Sequence, residues 1–233
     1  MNASPQHPMT FDVQGLRAGA IKTLPVAMGV AIYGLVYGML AGQSGMTPGE
    51  VTAMSALVFA GASQFVALDL WIDPLPVGAL IVMAFIVNLR HVLMGAAIQP
   101  WFSRLSPLQA YGSMYFMVDE SWALTIKDFA DGHRRGAFML GSGLVLFATW
   151  LSASLGGLLA GSMVPDPTRY GLDFAFTAAF IALLAGLWRG KSDLPIWIAA
   201  AVVAIIGSLL LPGKWYILAG GLAGGLTGAL RHD

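Results

Sequence analysis

Pro76 to Ile98 reads PVGALIVMAFIVNLRHVLMGAAI: a long apolar run, then Asn88-Leu89-Arg90-His91, then apolar residues again. A helix needs roughly 20 such residues to cross about 30 Å of hydrocarbon, and this stretch has the length. It also carries an arginine near its middle, where a charge costs about 2.5–3.5 kcal/mol on insertion scales. The stretch therefore raises two questions, how the chain crosses a membrane and why polar groups go with it. The whole sequence answers the first. Its 233 residues are 57% hydrophobic and 10% charged, against about 25% charged in a typical soluble domain. So few charges do not cover a water-facing surface. Lipid is the solvent, and the expected fold is all-α, a polytopic helical membrane protein.

Apolar runs read against Pro, Gly and polar punctuation give eight candidate transmembrane segments, at 24–42, 50–70, 76–98, 107–126, 137–161, 171–188, 195–211 and 214–230. Breaks fall at Gly45-Met46-Thr47-Pro48, Asp73-Pro74, Ser106-Pro107 and Pro212-Gly213, among others. The last two segments read as one bent element or as two tight antiparallel helices. Residues 1–16 form a polar tail without the pattern of a cleavable signal peptide. Residues 17–233 follow as a single transmembrane domain. With the N-terminus inside, Arg17, Lys22, Lys127, Arg134, Arg135, Arg189, Lys191 and Arg231 share one side, and only Arg104, Arg169 and Lys214 take the other. That bias puts both termini in the cytoplasm. If one short segment is re-entrant, the count drops to seven and the C-terminus moves outside.

Two stretches in the halves 24–126 and 137–230 align without gaps, the pattern of an internal two-fold repeat of about 115 residues or of a chance match in a chain rich in Gly and Ala. Gly38-Met39-Leu40-Ala41-Gly42 aligns with Gly157-Leu158-Leu159-Ala160-Gly161, and Phe59 to Leu68 aligns with Phe174 to Leu183. Repeated halves are how many secondary transporters build two bundles around a central site. Parallel and inverted arrangements both stay open. Small residues recur every four positions at Gly34, Gly38 and Gly42, at Ala153, Gly157 and Gly161, and at Gly220, Gly224 and Gly228. Such stripes let helix backbones approach closely where lipid supplies no hydrophobic push. A sliding surface is the sharper alternative.

Several function classes fall away. A formal net charge of zero does not favour nucleic-acid binding. Without cysteine there is no disulfide, thiol chemistry or thiolate metal site. Gly213-Lys214 is followed by Trp215 and makes no phosphate loop. No cofactor or metal is expected. An intramembrane enzyme with Ser63 as nucleophile and His91 as base has no oxyanion donor in view.

The polar groups at depth carry the functional reading. Asn88, Arg90 and His91 lie near the middle of one segment, and Asp119 and Glu120 near the middle of the next. At about 1.5 Å per residue their depths differ by no more than one helical turn, so Arg90 and Asp119 are able to pair. Adjacent residues diverge by about 100° around a helix, so one pair does not absorb all four charged or titratable groups. The leftovers suit a zwitterion or a proton. Gly61-Ala62-Ser63-Gln64, between Phe59 and Phe65, either admits a neighbouring helix or unwinds beside a ligand. For Ser63 and Gln64 an interhelical hydrogen bond stands level with ligand contact. Asp173 reads as a helix cap, and Asp69 and Asp73, beside Trp71, as interfacial.

Leu57 to Phe65, Asn88-Leu89-Arg90-His91, Asp119-Glu120 and Gly171-Leu172-Asp173-Phe174-Ala175 closely resemble the AzlC family, large subunits of bacterial branched-chain amino-acid exporters. The resemblance runs from about Gly15 to Gly228. It implies a permease of the bacterial cytoplasmic membrane, not an enzyme, exporting leucine, isoleucine, valine or close analogues with the proton gradient. It also implies a small four-span partner of the AzlD type. The expected substrate path is Ser63, Gln64, Asn88, Arg90, His91, Asp119 and Glu120, with Arg90 or a helix N-terminus holding the carboxylate. The rivals are a passive channel and a structural or sensory subunit that moves nothing.

Overall fold

A computed structural model describes residues 9–161, positions 181, 185 and 188, and residues 190–211 and 215–231. The chain divides into two units, Met1–Ala175 and Phe176–Asp233. Among the described residues there is no β-strand. Among the described residues four helices are long and apolar enough to cross a membrane: Val13–Gln43, Val77–Phe102, Phe138–Gly161 and Lys191–Leu210. The segment expected at 171–188, with Asp173 and most of the second repeat copy, lies largely outside the described residues.

In the first unit, α1 (Val13–Gln43) starts well before residue 24 because Asp12 caps it, accepting from the Gly15 amide at 2.7 Å. It lies against α7 (Phe138–Gly161). Gly19 meets Phe138, Gly34 meets Ala153 and Gly42 meets Leu158, so the two helices run parallel. A Cβ on Gly38 would overlap the Ser154 carbonyl, and one on Gly157 would overlap the Leu35 carbonyl. The two aligned glycine stripes are thus opposite faces of one contact, backbone on backbone. Thr23 and Ser142 join across it by a hydroxyl–hydroxyl bond of 2.6 Å.

Between these helices the structure departs from the expected spans. Thr47 and Glu50 form a capping box, with Pro48 in the first turn, and open α2 (Pro48–Ala53). A π-helical turn, Met54–Val58, follows. The helix then stops at Phe59, whose φ of 42° is left-handed, a conformation that costs an aromatic residue about 1–3 kcal/mol. The chain reverses there and returns as α3 (Gly61–Leu68). Tyr37 of α1 touches both limbs, bonding Met54 Sδ at 3.1 Å and packing its ring 5.8 Å from that of Phe65. Ser55 and Gln64 bond across the hairpin at 3.2 Å. The expected crossing at 50–70 is a hairpin that doubles back.

A second hairpin repeats the design from the other end. After α4 (Val77–Phe102), Ser106 and Gln109 form a capping box with Pro107 and open α5 (Pro107–Tyr115). The helix breaks over Phe116 to Val118 and returns as α6 (Asp119–Ala130). Both limbs face the same part of α4. Met114 of α5 reaches Gly95, and Trp122 of α6 donates to the Met94 carbonyl at 3.0 Å. The expected crossing at 107–126 is therefore also a hairpin. Trp101 stacks on Phe129, and both join a cluster of Met94, Ile98, Phe102, Met117 and Met139. These contacts bring the end of α4 to the start of α7, so α4 runs antiparallel to α1 and α7. Ile81, Phe85, Val92 and Leu93 leave α4 exposed and apolar, as lipid requires.

The start of α1, the end of α6 and the start of α7 meet around Asp128, which is 1% exposed. Its carboxylate receives Lys22 Nζ at 3.1 Å, the Arg135 guanidinium and His133 at 3.4 Å. The tail is pinned here too, through Thr10 to the Arg134 carbonyl at 2.8 Å and the Gly136 amide to Thr10 at 2.7 Å. Lys22, Lys127, Arg134 and Arg135, assigned to one side by the charge bias, gather at this end, but Arg104, assigned to the other side, comes with them, because Leu105 packs on Gly136.

In the second unit, α8 (Leu194–Leu210) and α9 (Trp215–Ala229) form two antiparallel helices. A Cβ on Gly220 would lie 2.9 Å from Ala204 Cβ, while Gly224 and Gly228 follow toward Ala200 and Ile196. The third small-residue stripe is this interface.

Gly38→Ala or Gly157→Ala forces α1 and α7 apart, and overpacking of this kind costs about 1–3 kcal/mol. The thermal midpoint of the purified protein in detergent is expected to fall for both variants. Gly29→Ala, with no atom within 4 Å of the added Cβ, is expected to leave it unchanged or raised.

Candidate functional site

The two hairpin tips meet. The Tyr115 hydroxyl donates to the Ala56 carbonyl, tying the end of α5 to the π-helical turn. The rings of Phe59 and Phe116 lie 6.5 Å apart, and Phe147 of α7 packs on both, at 5.0 and 5.4 Å. Gly143 lets α7 lie directly under the second tip, since a Cβ there would overlap the Phe116 carbonyl. Trp150 does the same work under the first tip. A Cβ on Gly61 would lie 3.0 Å from its ring edge, and its indole N–H donates to Gln64 Oε1 at 2.9 Å. Tyr37 stacks on Trp150 with 5.7 Å between centroids.

Gln64 is fully buried, and Ser55 and Trp150 occupy both ends of its amide. It makes the interhelical bond that the packing reading expects. Its neighbour Ser63 is also buried, and among the described residues its Oγ has no hydrogen-bond partner. The break itself lies at Phe59 and Ala60, just before the small residues, so this helix unwinds rather than merely admitting a neighbour. No side chain caps the amides of Gly61, Ala62 and Ser63 that open α3.

The charged groups collect at the other tip. Arg90 Nη1 meets Asp119 Oδ2 at 2.9 Å, a pairing that the depth of the two residues allows. The side chains are 39% and 41% exposed, and among the described residues Arg90 Nε and Asn88 Oδ1 have no partner, so this pair is open and unsaturated there. His91 Nδ1 lies 3.3 Å from the Asn88 carbonyl, and the ring is in reach of the Met117 carbonyl inside the break. Asp119 and Glu120 form the first turn of α6, where the helix dipole favours negative charge. Glu120 makes no ion pair among the described residues, and its charged neighbours are Arg90 and Asp119, with Tyr33 of α1 in electrostatic reach. Ser121 Oγ accepts from the Val118 amide at 2.9 Å and closes the turn.

The site thus joins Asn88, Arg90, His91, Asp119 and Glu120 at one tip and leaves Ser63 at the other. Trp150, Phe147 and Tyr33 go unmarked in the sequence, because apolar runs are full of aromatic residues and nothing in their spacing singles these out. Asp128 had a readable signal: an acid within two turns of His133, Arg134 and Arg135. Among the described residues no group of three His, Asp or Glu side chains is arranged to hold a metal ion.

Residues 25–164, which include both hairpins, match the family model described as AzlC protein. An uncharacterized membrane protein of Archaeoglobus fulgidus is 30% identical over 213 residues, covering 90% of this chain and 92% of its own. The branched-chain amino acid transport protein AzlC of Bacillus subtilis is 26% identical over 203 residues, 86% of this chain and 79% of its own. Inner membrane protein YgaZ of Escherichia coli is 27% identical over 226 residues, 91% and 89% of the two chains. No solved structure matches the chain.

Replacing Trp150 with Phe leaves the Gln64 carbonyl oxygen buried without its donor. An unsatisfied buried acceptor costs about 1–3 kcal/mol, so the melting midpoint of Trp150→Phe is expected to drop by several degrees in detergent.

Proposed function

Because the chain belongs to the AzlC family, we propose that it is a permease subunit of the bacterial cytoplasmic membrane that exports branched-chain or related small apolar amino acids. The observation that carries the reading is the meeting of two broken hairpins beside an unsaturated ion pair. Each limb has roughly half the length needed to cross hydrocarbon. Non-helical backbone at membrane depth is tolerated only inside protein or along a wet cavity, and transport folds use such breaks to hold polar substrates. We read the hairpins as re-entrant from opposite faces, so that α1, α4 and α7 are the crossings in this part of the chain. Three crossings return α7 to the direction of α1, in keeping with their parallel contact. This also favours a parallel relation between the two aligned glycine segments.

A branched amino acid needs an apolar pocket and charge partners for its two ends. The aromatic residues at the tips supply the first, and for the second Asp119 or Glu120 takes the ammonium while Arg90 or a helix start takes the carboxylate. Ser63 and Asn88 line the path with polar atoms that nothing else uses. Gln64 acts through Trp150 to hold the first tip. His91 and Glu120 are the groups suited to carry a proton across with each cycle. One tip withdraws toward its own face while the other holds, and the α1–α7 contact stays fixed as the frame. The substrate class follows the name of the Bacillus relative, and a small AzlD-type partner fits the apolar exposed side of the first unit.

Vesicles holding the full chain with its small partner, loaded with labelled valine, test the reading. Wild-type efflux is expected to saturate and to respond to a pH gradient. Arg90→Ala, Asp119→Asn and Glu120→Gln at matched levels are expected to fall at least about tenfold, the scale of one lost charge-assisted contact. Equal rates in all three variants would remove the site, and flux that neither saturates nor follows pH would make the protein a channel.

A further inference from the structure

The two hairpins are built to one plan. Each opens with a hydroxyl residue, a proline and a capping Glu or Gln (Thr47-Pro48 with Glu50, Ser106-Pro107 with Gln109). Each breaks after about three turns, and each return limb has a serine at its third position, Ser63 in α3 and Ser121 in α6. Their chemistry at the tip is opposite. The first turn of α6 carries Asp119 and Glu120, and Ser121 spends its hydroxyl on the Val118 amide and on carbonyls of the break. The first turn of α3 carries Gly61 and Ala62, no acid and no side-chain cap. Ser63 is 6% exposed, and its Oγ has no partner among the described residues.

A helix start concentrates free amide donors and partial positive charge, which favour an anion. At α6 two acids answer that field. Among the described residues no side chain does so at α3, where Phe59, Ala60 and Ser63 are buried and a Cβ on Gly61 would lie 3.0 Å from the Trp150 ring. Helical Cβ atoms tilt toward the N-terminus, so a hydroxyl at the third position belongs to the same donor set as the exposed amides. Arg90, the other candidate for an anion, is already engaged by Asp119 at 2.9 Å.

We propose that the start of α3, through the amides of Gly61, Ala62 and Ser63 and the Ser63 hydroxyl, binds the carboxylate of the transported amino acid. The acidic start of α6 then attracts its ammonium group. The paired hairpins read the two ends of a zwitterion with two helix starts of opposite character, and Arg90 restrains the acids rather than holding the carboxylate. This rests on the amino-acid reading above and assigns which tip takes which end.

The test is ligand binding by the purified full chain, followed by thermal shift and calorimetry, with L-valine and with L-valinamide, whose carboxylate is replaced by a neutral amide. Wild type is expected to bind valine at least about tenfold more tightly than valinamide, the scale of one hydrogen bond to a charged group. Ser63→Ala, which removes a single hydroxyl, is expected to weaken valine several-fold and valinamide little. Ala60→Asp supplies an internal carboxylate to the same amides and is expected to abolish valine binding while sparing valinamide. Ser63→Ala carries the test if Ala60→Asp does not fold. Valine binding that is unchanged in Ser63→Ala and lost in Arg90→Ala would overturn the assignment and leave the amino-acid reading standing. A wild-type protein indifferent to valine, leucine and isoleucine would instead remove that reading, and this inference with it.

Discussion

Backbone amides and carbonyls have nowhere to go in hydrocarbon, so every residue that leaves a helix there must find a partner within the protein. The hairpin tips are where this chain meets that constraint. The Ala56 carbonyl takes the Tyr115 hydroxyl, the Val118 amide takes Ser121, and the Met117 carbonyl has His91 in reach. Beneath both tips runs α7, held in place by its glycine contact with α1. Gly143 lies under one tip and Trp150 under the other. Loosen that helix and both tips lose their floor. The frame holds two breaks in place, one of them with Phe59 in a left-handed turn.

The first unit also separates two kinds of buried charge. Around Asp128, three basic side chains surround one acid that water barely touches, and two of them, Lys22 and Arg135, also lie over the Phe138 ring. That cluster ties three elements together and has little spare capacity. Arg90 and Asp119 are half exposed, with unpartnered Arg90 and Asn88 atoms beside them. A saturated cluster fixes geometry, and an unsaturated one is able to exchange partners. Breaking the former leaves uncompensated buried charge, a loss of about 3–5 kcal/mol.

Much of this is legible in the sequence, and the rest is hidden for physical reasons. The glycine stripes at Gly34–Gly42 and Ala153–Gly161 announce a close helix contact because only small residues permit one. Depth allows the Arg90–Asp119 pair, although that depth is counted along a crossing that turns out to be a hairpin. The hairpins are not legible, because hydropathy records length and not direction. A run that dips and returns holds as many apolar residues as one that crosses. Phe59 gives no warning either, since an aromatic residue is among the last expected in a left-handed turn. Thr47-Pro48 and Ser106-Pro107 mark where limbs begin, and the same dipeptides begin ordinary helices elsewhere.

The glycine seam between α1 and α7 has a consequence in time. Ribosomes add about 5–20 residues per second, and roughly 120 residues separate equivalent points on the two helices. The first helix therefore waits on the order of ten seconds, its small-residue stripe facing lipid, before its mate emerges. Neither hairpin has a floor until then, and the nascent chain must keep two half-length elements shielded meanwhile. Biogenesis, more than the finished state, is where a single bulky substitution on that stripe would first be felt.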